Sequence, residues 1–259
     1  MGELNGKTIL VSGVGPGLGQ DTAKIALREG ANVVAAARGI ERLQSICNDL
    51  DPSGERIAAV SADITDVASC QALIAASTER FGTLDGIIHV AAYDAHFGML
   101  DGADLDEWRQ VYEVNVFGSM QLVQAALPAL KVQGGSVVFI GSQSTDLPRV
   151  PQMAYASSKG AVRTLGRQLA VELGPSRIRV NNVIATWMWG PNVQMYVSMM
   201  AKQRGVEEQV VYDEIAVNMP LREIPEDDDV AELSCFLMSD RARMITGQTI
   251  WVNGGEHIV

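Results

Sequence analysis

The chain alternates short, almost wholly apolar runs with longer stretches in which apolar residues recur every three or four positions. The short runs fall at 7–12, 31–37, 56–61, 85–90, 136–140, 178–184 and 249–252. They are strand-length and lack the polar alternation of a half-exposed sheet. Strands of this kind need cover on both faces. The stretches between them predict helices over 18–29, 43–50, 67–81, 108–130, 154–173 and 227–238, the fourth interrupted at Gly118. Regular strand–helix alternation predicts an α/β fold with one predominantly parallel, doubly wound, seven-stranded sheet in the order 3-2-1-4-5-6-7. With no linker or repeat, residues 1–259 are expected to form a single domain. Between 187 and 225 the rhythm breaks into a segment rich in methionine and aromatic residues. A small helical lobe at about 190–219, over the carboxyl edge of the sheet, would account for it.

Composition narrows the function. Of 259 residues, 47% are hydrophobic and 20% charged, which suits a globular protein and excludes collagen, a long coiled coil or a disordered chain. The 31 acidic against 20 basic residues, a net charge of -11, disfavour a nucleic-acid or anionic-membrane face. No apolar run approaches a membrane span, and no leader-like segment opens the sequence, so a cytoplasmic location is the expectation. Cys47, Cys70 and Cys235 are too scattered for a metal site and are read as reduced thiols. His89, His96 and His257 lack zinc-ligand spacing, so no metal is expected.

The chemistry is concentrated at the carboxyl ends of the strands. The first strand runs into Ser12-Gly13-Val14-Gly15-Pro16-Gly17-Leu18-Gly19, followed by an alanine-rich helix. Such a turn lets backbone approach a diphosphate, while the helix start presents free amides and a partial positive charge. No Lys-Ser or Lys-Thr pair closes it, which disfavours a nucleoside-triphosphatase loop. Tyr155 and Lys159 stand four residues apart and so share a helix face. An ammonium near a phenol favours the phenolate. Ser142, just beyond the fifth strand, precedes Tyr155 by 13 residues, and Asn115 is a polar residue within a helix.

Together these features resemble the short-chain dehydrogenase/reductase family along the whole chain. Gly13, Gly17 and Gly19 match the family's Thr-Gly-Xaa-Xaa-Xaa-Gly-Xaa-Gly pattern, with Ser12 in place of threonine. The resemblance implies a Rossmann fold and a catalytic tetrad of Asn115, Ser142, Tyr155 and Lys159. In those roles Tyr155 exchanges a proton with the substrate, Ser142 holds the substrate oxygen, and Lys159 binds the nicotinamide ribose. Asn115 anchors a water in a proton path. The cofactor site would comprise Ser12, Gly13, Gly15, Pro16, Gly17, Leu18, Gly19, Arg38, Asp63, Ile64, Ala91, Tyr155, Lys159 and Met188. Two segments depart from the family. Its Asn-Asn-Ala-Gly appears as His89-Val90-Ala91-Ala92, with His89 expected to bond backbone between strands, and its Pro-Gly is Ala185-Thr186.

Cofactor choice turns on Ala35-Ala36-Ala37-Arg38. NAD-preferring relatives carry an aspartate at the position of Ala37, whereas Arg38 suits a 2'-phosphate. NADP or NAD is implied, with NADP preferred. Trp187, Trp189 and His96, with Ser142 and Tyr155, are the expected substrate contacts, and the apolar lobe suggests a hydrophobic secondary alcohol or ketone, cyclic or steroid-like. Alternatives are an epimerase, an enoyl reductase, or a catalytically silent dinucleotide-binding protein. The resemblance further implies a homotetramer, with a homodimer as the alternative.

Overall fold

The computed structural model describes residues 2–94, 98–148 and 151–258. Seven strands form one sheet: β1 (Thr8–Ser12), β2 (Asn32–Ala37), β3 (Ile57–Ser61), β4 (Gly86–His89), β5 (Gly135–Ser142), β6 (Ile178–Ala185) and β7 (Thr249–Val252). Their order is β3-β2-β1-β4-β5-β6-β7, every pair parallel. The order reverses between β1 and β4, and such a switch opens a crevice at the carboxyl edge.

Successive residues of each strand feed opposite cores. Ile9, Val11, Val33 and Ile88 pack with α1 (Leu18–Arg28), α2 (Ile40–Leu50) and α9 (Asp227–Met238) on one face. Leu10, Val34, Ile87, Val137 and Phe139 pack with α3 (Val67–Phe81), α5 (Ser119–Leu130) and α6 (Met153–Leu173) on the other. This double cover is why the strand runs carry no polar alternation.

One predicted helix is built differently. The sequence predicts a break at Gly118 within 108–130. Instead α4 (Leu105–Tyr112) passes into a π-helical turn, Glu113–Gly118, which continues into α5. A methyl group at Gly118 would meet Ile64 Cγ1 at 2.9 Å, so this glycine admits a neighbour rather than ending a helix. The wider turn is centred on Asn115, and such insertions recur at functional sites.

The lobe consists of α7 (Pro191–Arg204) and α8 (Glu208–Ala216). Val197, Ala201, Val211, Ile215, Met219 and Ile224 form a separate small core there. Among the described residues no helix is long and apolar enough to cross a membrane. Cys47, Cys70 and Cys235 are buried and unpaired.

Candidate active site

A cleft of about 780 Å³ runs along the carboxyl edge of the sheet, from Arg38 past the glycine turn to Tyr155 and Trp187. The glycine turn is its floor. Gly13 and Gly17 have φ of 95° and 90°, and Gly17 caps α1 without a side-chain hydrogen bond. A Cβ at Gly13 would lie 2.4 Å from Ala91 N, yet one at Gly15 would meet nothing within 4 Å. The turn is therefore packed beneath and bare on its cleft side. With the uncapped amides of α1, it fits the diphosphate of a dinucleotide.

Of the expected cofactor residues, Ser12, Gly13, Gly15, Pro16, Gly17, Leu18, Gly19, Arg38, Asp63, Ile64, Ala91, Tyr155, Lys159 and Met188 all line this cleft. Asp63 Oδ1 accepts from Thr65 N (3.0 Å) and Thr65 Oγ1 (2.7 Å), and these bonds hold its carboxyl below the usual carboxylate range. Arg42 lines the same end as Arg38 and is not among the residues that sequence reasoning singles out. Its position carries only a local signal: a cation in the first turn of α2 gains nothing from the helix dipole.

At the other end stand Ser142, the last residue of β5, and Tyr155, near the start of α6. Ser142 Oγ lies 3.0 Å from Ser144 Oγ. Lys159 is only 4% exposed, donates from Nζ to Ile140 O at 2.8 Å, and sits 5.8 Å from the Tyr155 ring centre. Burial pulls its ammonium down to about 8, opposed by Asp94. Burial also pushes the Tyr155 phenol up to about 12; Ser142 works against this and Asp94 with it. The sequence suggests that Lys159 depresses the phenol. In this structure desolvation is the largest influence on the phenol, and the ammonium itself donates to the Ile140 carbonyl.

Asn115 is buried and fully engaged. Its Oδ1 accepts from Tyr93 N (2.7 Å), and its Nδ2 donates to Tyr93 O (3.1 Å) and Ser158 Oγ (3.0 Å). It thereby ties the loop after β4 to α6. His89 does not bond backbone between strands as expected. Its Nε2 lies 2.8 Å from Ser119 Oγ, which donates to Asn115 O at 2.6 Å. The single hydroxyl proton is thus committed, so Nε2 carries the imidazole proton and Nδ1 is left buried without a partner. Burial, then the charge of Lys159, drives the imidazole down to about 3, so it stays neutral.

Trp187 lines the cleft, but Trp189 does not. Trp189 packs edge-on against Tyr212 at 4.8 Å inside the lobe, and its backbone N–H donates to Pro225 O at 2.8 Å. His96, the remaining expected substrate contact, lies outside the described residues. Two further features depend on distant chain segments. Asp94 lines the cleft beside Tyr155 and Lys159. Glu256, near the C-terminus, accepts from Gln143 Nε2 at 2.8 Å and from the Thr186 hydroxyl, joining the loops that follow Ser142 and Ala185.

A switch-point cleft with a phosphate-sized glycine turn at one end and a Ser–Tyr–Lys group at the other defines a dinucleotide-using oxidoreductase. The comparisons with known proteins agree. A family model described as enoyl-(acyl carrier protein) reductase matches residues 13–257. Oxidoreductase UcpA of Salmonella typhimurium is 32% identical over 258 residues, covering 99% of this chain and 96% of that protein. Trans-4-hydroxycyclohexanecarboxylate dehydrogenase of Sinomonas cyclohexanicum is 31% identical over 256 residues, covering 96% and 92%. A short-chain dehydrogenase/reductase from Brucella melitensis superposes with a TM-score of 0.88 at 30% identity over all of both chains. A tryptophan variant of the actinorhodin polyketide ketoreductase, solved with NADPH, gives 0.87 at 27% identity, covering 96% of this chain and 97% of that one. The chain belongs to the short-chain dehydrogenase/reductase family of NAD(P)-using enzymes.

Proposed function

We propose that this enzyme interconverts a hydrophobic secondary alcohol and its ketone, cyclic substrates being the best fit, with NADP preferred over NAD. The observation that carries the reading is the meeting of Ser142, Tyr155 and Lys159 at one end of the cleft whose other end is the glycine turn. The nicotinamide, when bound, supplies the hydride in reduction and takes it up in oxidation. Ser142 holds the substrate oxygen by a hydrogen bond. In reduction the Tyr155 O–H donates its proton to the oxygen as negative charge develops there. A phenol near 12 remains a far stronger acid than an aliphatic alcohol, so this transfer runs downhill. In oxidation the phenolate accepts the alcohol proton. The buried Lys159 holds a positive charge close by and is assigned the nicotinamide ribose hydroxyls. Asn115 fixes the loop after β4 against α6 and so keeps Tyr155 and Lys159 in register with the cleft.

The apolar character of the substrate rests on Trp187 and the lobe core beside it. The dehydrogenase relative named for a hydroxylated cyclohexane supports a cyclic alcohol. An enoyl substrate is the second reading, favoured by the description of the family model. Following absorbance of the reduced dinucleotide across alcohols, ketones and an enoyl thioester separates the two. Turnover of the thioester alone would defeat the alcohol–ketone reading.

The NADP preference rests on Ala37, which leaves no carboxylate for a ribose diol, and on Arg38 and Arg42 at that end of the cleft. Ala37→Asp is expected to shift the NADP-to-NAD affinity ratio toward NAD by roughly tenfold or more, through one added charge close to the 2'-phosphate. Titration of both dinucleotides against both proteins checks this, and an unchanged ratio would reject the explanation.

Assembly is assigned as a homotetramer, with a homodimer as the alternative. Its support is the family resemblance and the exposed apolar side chains Phe117, beside Asn115, and Val171, on α6 (54% and 78% exposed). A single-chain mass by light scattering at micromolar concentration would reject both.

A further inference from the structure

The phosphate-binding end of the cleft contains a feature that a diphosphate should not welcome. Asp227, the first residue of α9, is 7% exposed and lines the cleft wall beside the glycine turn. Its carboxylate is wedged between two glycines. A Cβ at Gly17 would lie 2.9 Å from Asp227 Oδ2, and one at Gly190 only 2.0 Å. Gly17 caps α1, the helix whose amides await the diphosphate, and Gly190 opens the lobe as the cap of α7. The carboxylate therefore sits where the phosphate turn and the lobe meet.

Among the described residues no basic side chain acts on it, so only the partial charge of the helix starts favours its ionised form. The side chains acting on Asp227 are Asp21 from α1, then Glu226, the cap of α9, and Asp228 within it, and all of them disfavour ionisation. Lys24, on α1, is the nearby cation, but its Nζ is held by Asp21 at 3.9 Å and Asp228 at 3.5 Å. The glycine turn contributes no basic side chain, since Pro16 occupies its middle. Burial, reinforced by these three acids, pushes the Asp227 carboxyl up to about 6, so a proton there is available near neutral pH.

We propose that Asp227 couples dinucleotide binding to protonation: the dinucleotide is held with Asp227 neutral and repelled when Asp227 is ionised. The proposal rests on the dinucleotide reading above and extends it. Two phosphate charges brought against the turn disfavour a carboxylate in its wall. By linkage, binding must then raise the affinity of Asp227 for its proton and draw one from solution. Neutral Asp227 still fills the space between Gly17 and Gly190, so the wall is kept while the repulsion is lost.

The test is calorimetric titration of the wild type and Asp227→Asn with oxidised NADP and NAD, between about pH 5 and 8, in two buffers of different ionisation enthalpy. Wild-type affinity should fall roughly tenfold across this range, the effect of about one unit of pKa displacement. Binding near pH 6 to 7 should take up a fraction of a proton. Asp227→Asn should match the wild type at the acid end, bind roughly tenfold tighter at the alkaline end, and lose that uptake. Titration of the 2'-phosphate of NADP is common to both proteins and cancels in their ratio. Asp227→Ser, smaller still, repeats the comparison should the asparagine variant fold poorly. Parallel pH profiles with equal proton uptake would overturn the proposal, as would weaker binding by both variants at every pH. Wild-type protein that binds neither dinucleotide at any pH would instead overturn the functional reading itself, and the proposal with it.

Discussion

Tyr155→Phe is expected to fold normally, bind dinucleotide as the wild type does, and lose turnover by roughly 10²-fold or more, the scale of a missing general acid or base. The substitution removes one hydroxyl from a ring that keeps its place near the start of α6. The variant retains Lys159, to which the ribose contact is assigned, so affinity should change little. The wild-type pH profile carries the same information. Because burial pushes the phenol up to about 12, oxidation should gain rate as pH rises toward that value, and reduction should lose it. The measurement is single-turnover rate and dinucleotide affinity for both proteins, on the best substrate of the panel. A saturated Tyr155→Phe enzyme with near-normal chemistry would remove Tyr155 from the proton-transfer role. His89 would be a poor replacement, since its imidazole is buried, neutral and bonded to Ser119.

Lys159→Met is expected to fail in both respects, losing turnover by roughly 10²-fold or more and dinucleotide affinity as well. It removes a charge and a donor while nearly preserving the apolar stem. Stability should respond in a way that marks the charge. Burial pulls Lys159 down to about 8, from a normal value near 10.5. Below about 8 both the folded and unfolded states carry the proton, and the folded protein bears the whole cost of the buried charge. Between about 8 and 10.5 the unfolded chain holds more protons, so wild-type stability rises with pH. The variant lacks this contribution. Its loss of the donor to Ile140 O gives a pH-independent offset of about 1–3 kcal/mol. Wild type minus variant should therefore move in favour of the wild type across that window. Denaturant midpoints at several pH values test this, and a constant difference would mean that burial does not displace the proton affinity of Lys159.

These two residues are legible in the sequence because the signals that mark them are local. Tyr155 and Lys159 lie one helical turn apart, and the helix alone places them on one face. Ser142 requires only that the fifth strand carry its apolar run to the carboxyl edge of the sheet, where the strand closes two residues beyond Ile140. Arg42 also carries a local signal, a cation at a helix start, although no motif draws attention to it. Asp94 and Glu256 have none. Asp94 reaches Tyr155 through the loop after β4, and Glu256 meets Gln143 across 113 residues of sequence. Composition alone points Trp189 toward substrate, and it is the path of the lobe that turns it onto Tyr212 instead.

What the sequence determined by itself was the set of strands, their parallel sense and the turns at their carboxyl ends. Strand length, helix period and glycine turns are short-range properties, and a strand buried on both faces announces itself by an unbroken apolar run. Tertiary structure decided the protonation landscape. It placed the Lys159 ammonium on Ile140 O, left His89 Nδ1 without a partner, and wedged Asp227 between Gly17 and Gly190. Each of these depends on how much water is excluded and which distant charges remain near, and neither is written in the spacing of residues along a chain.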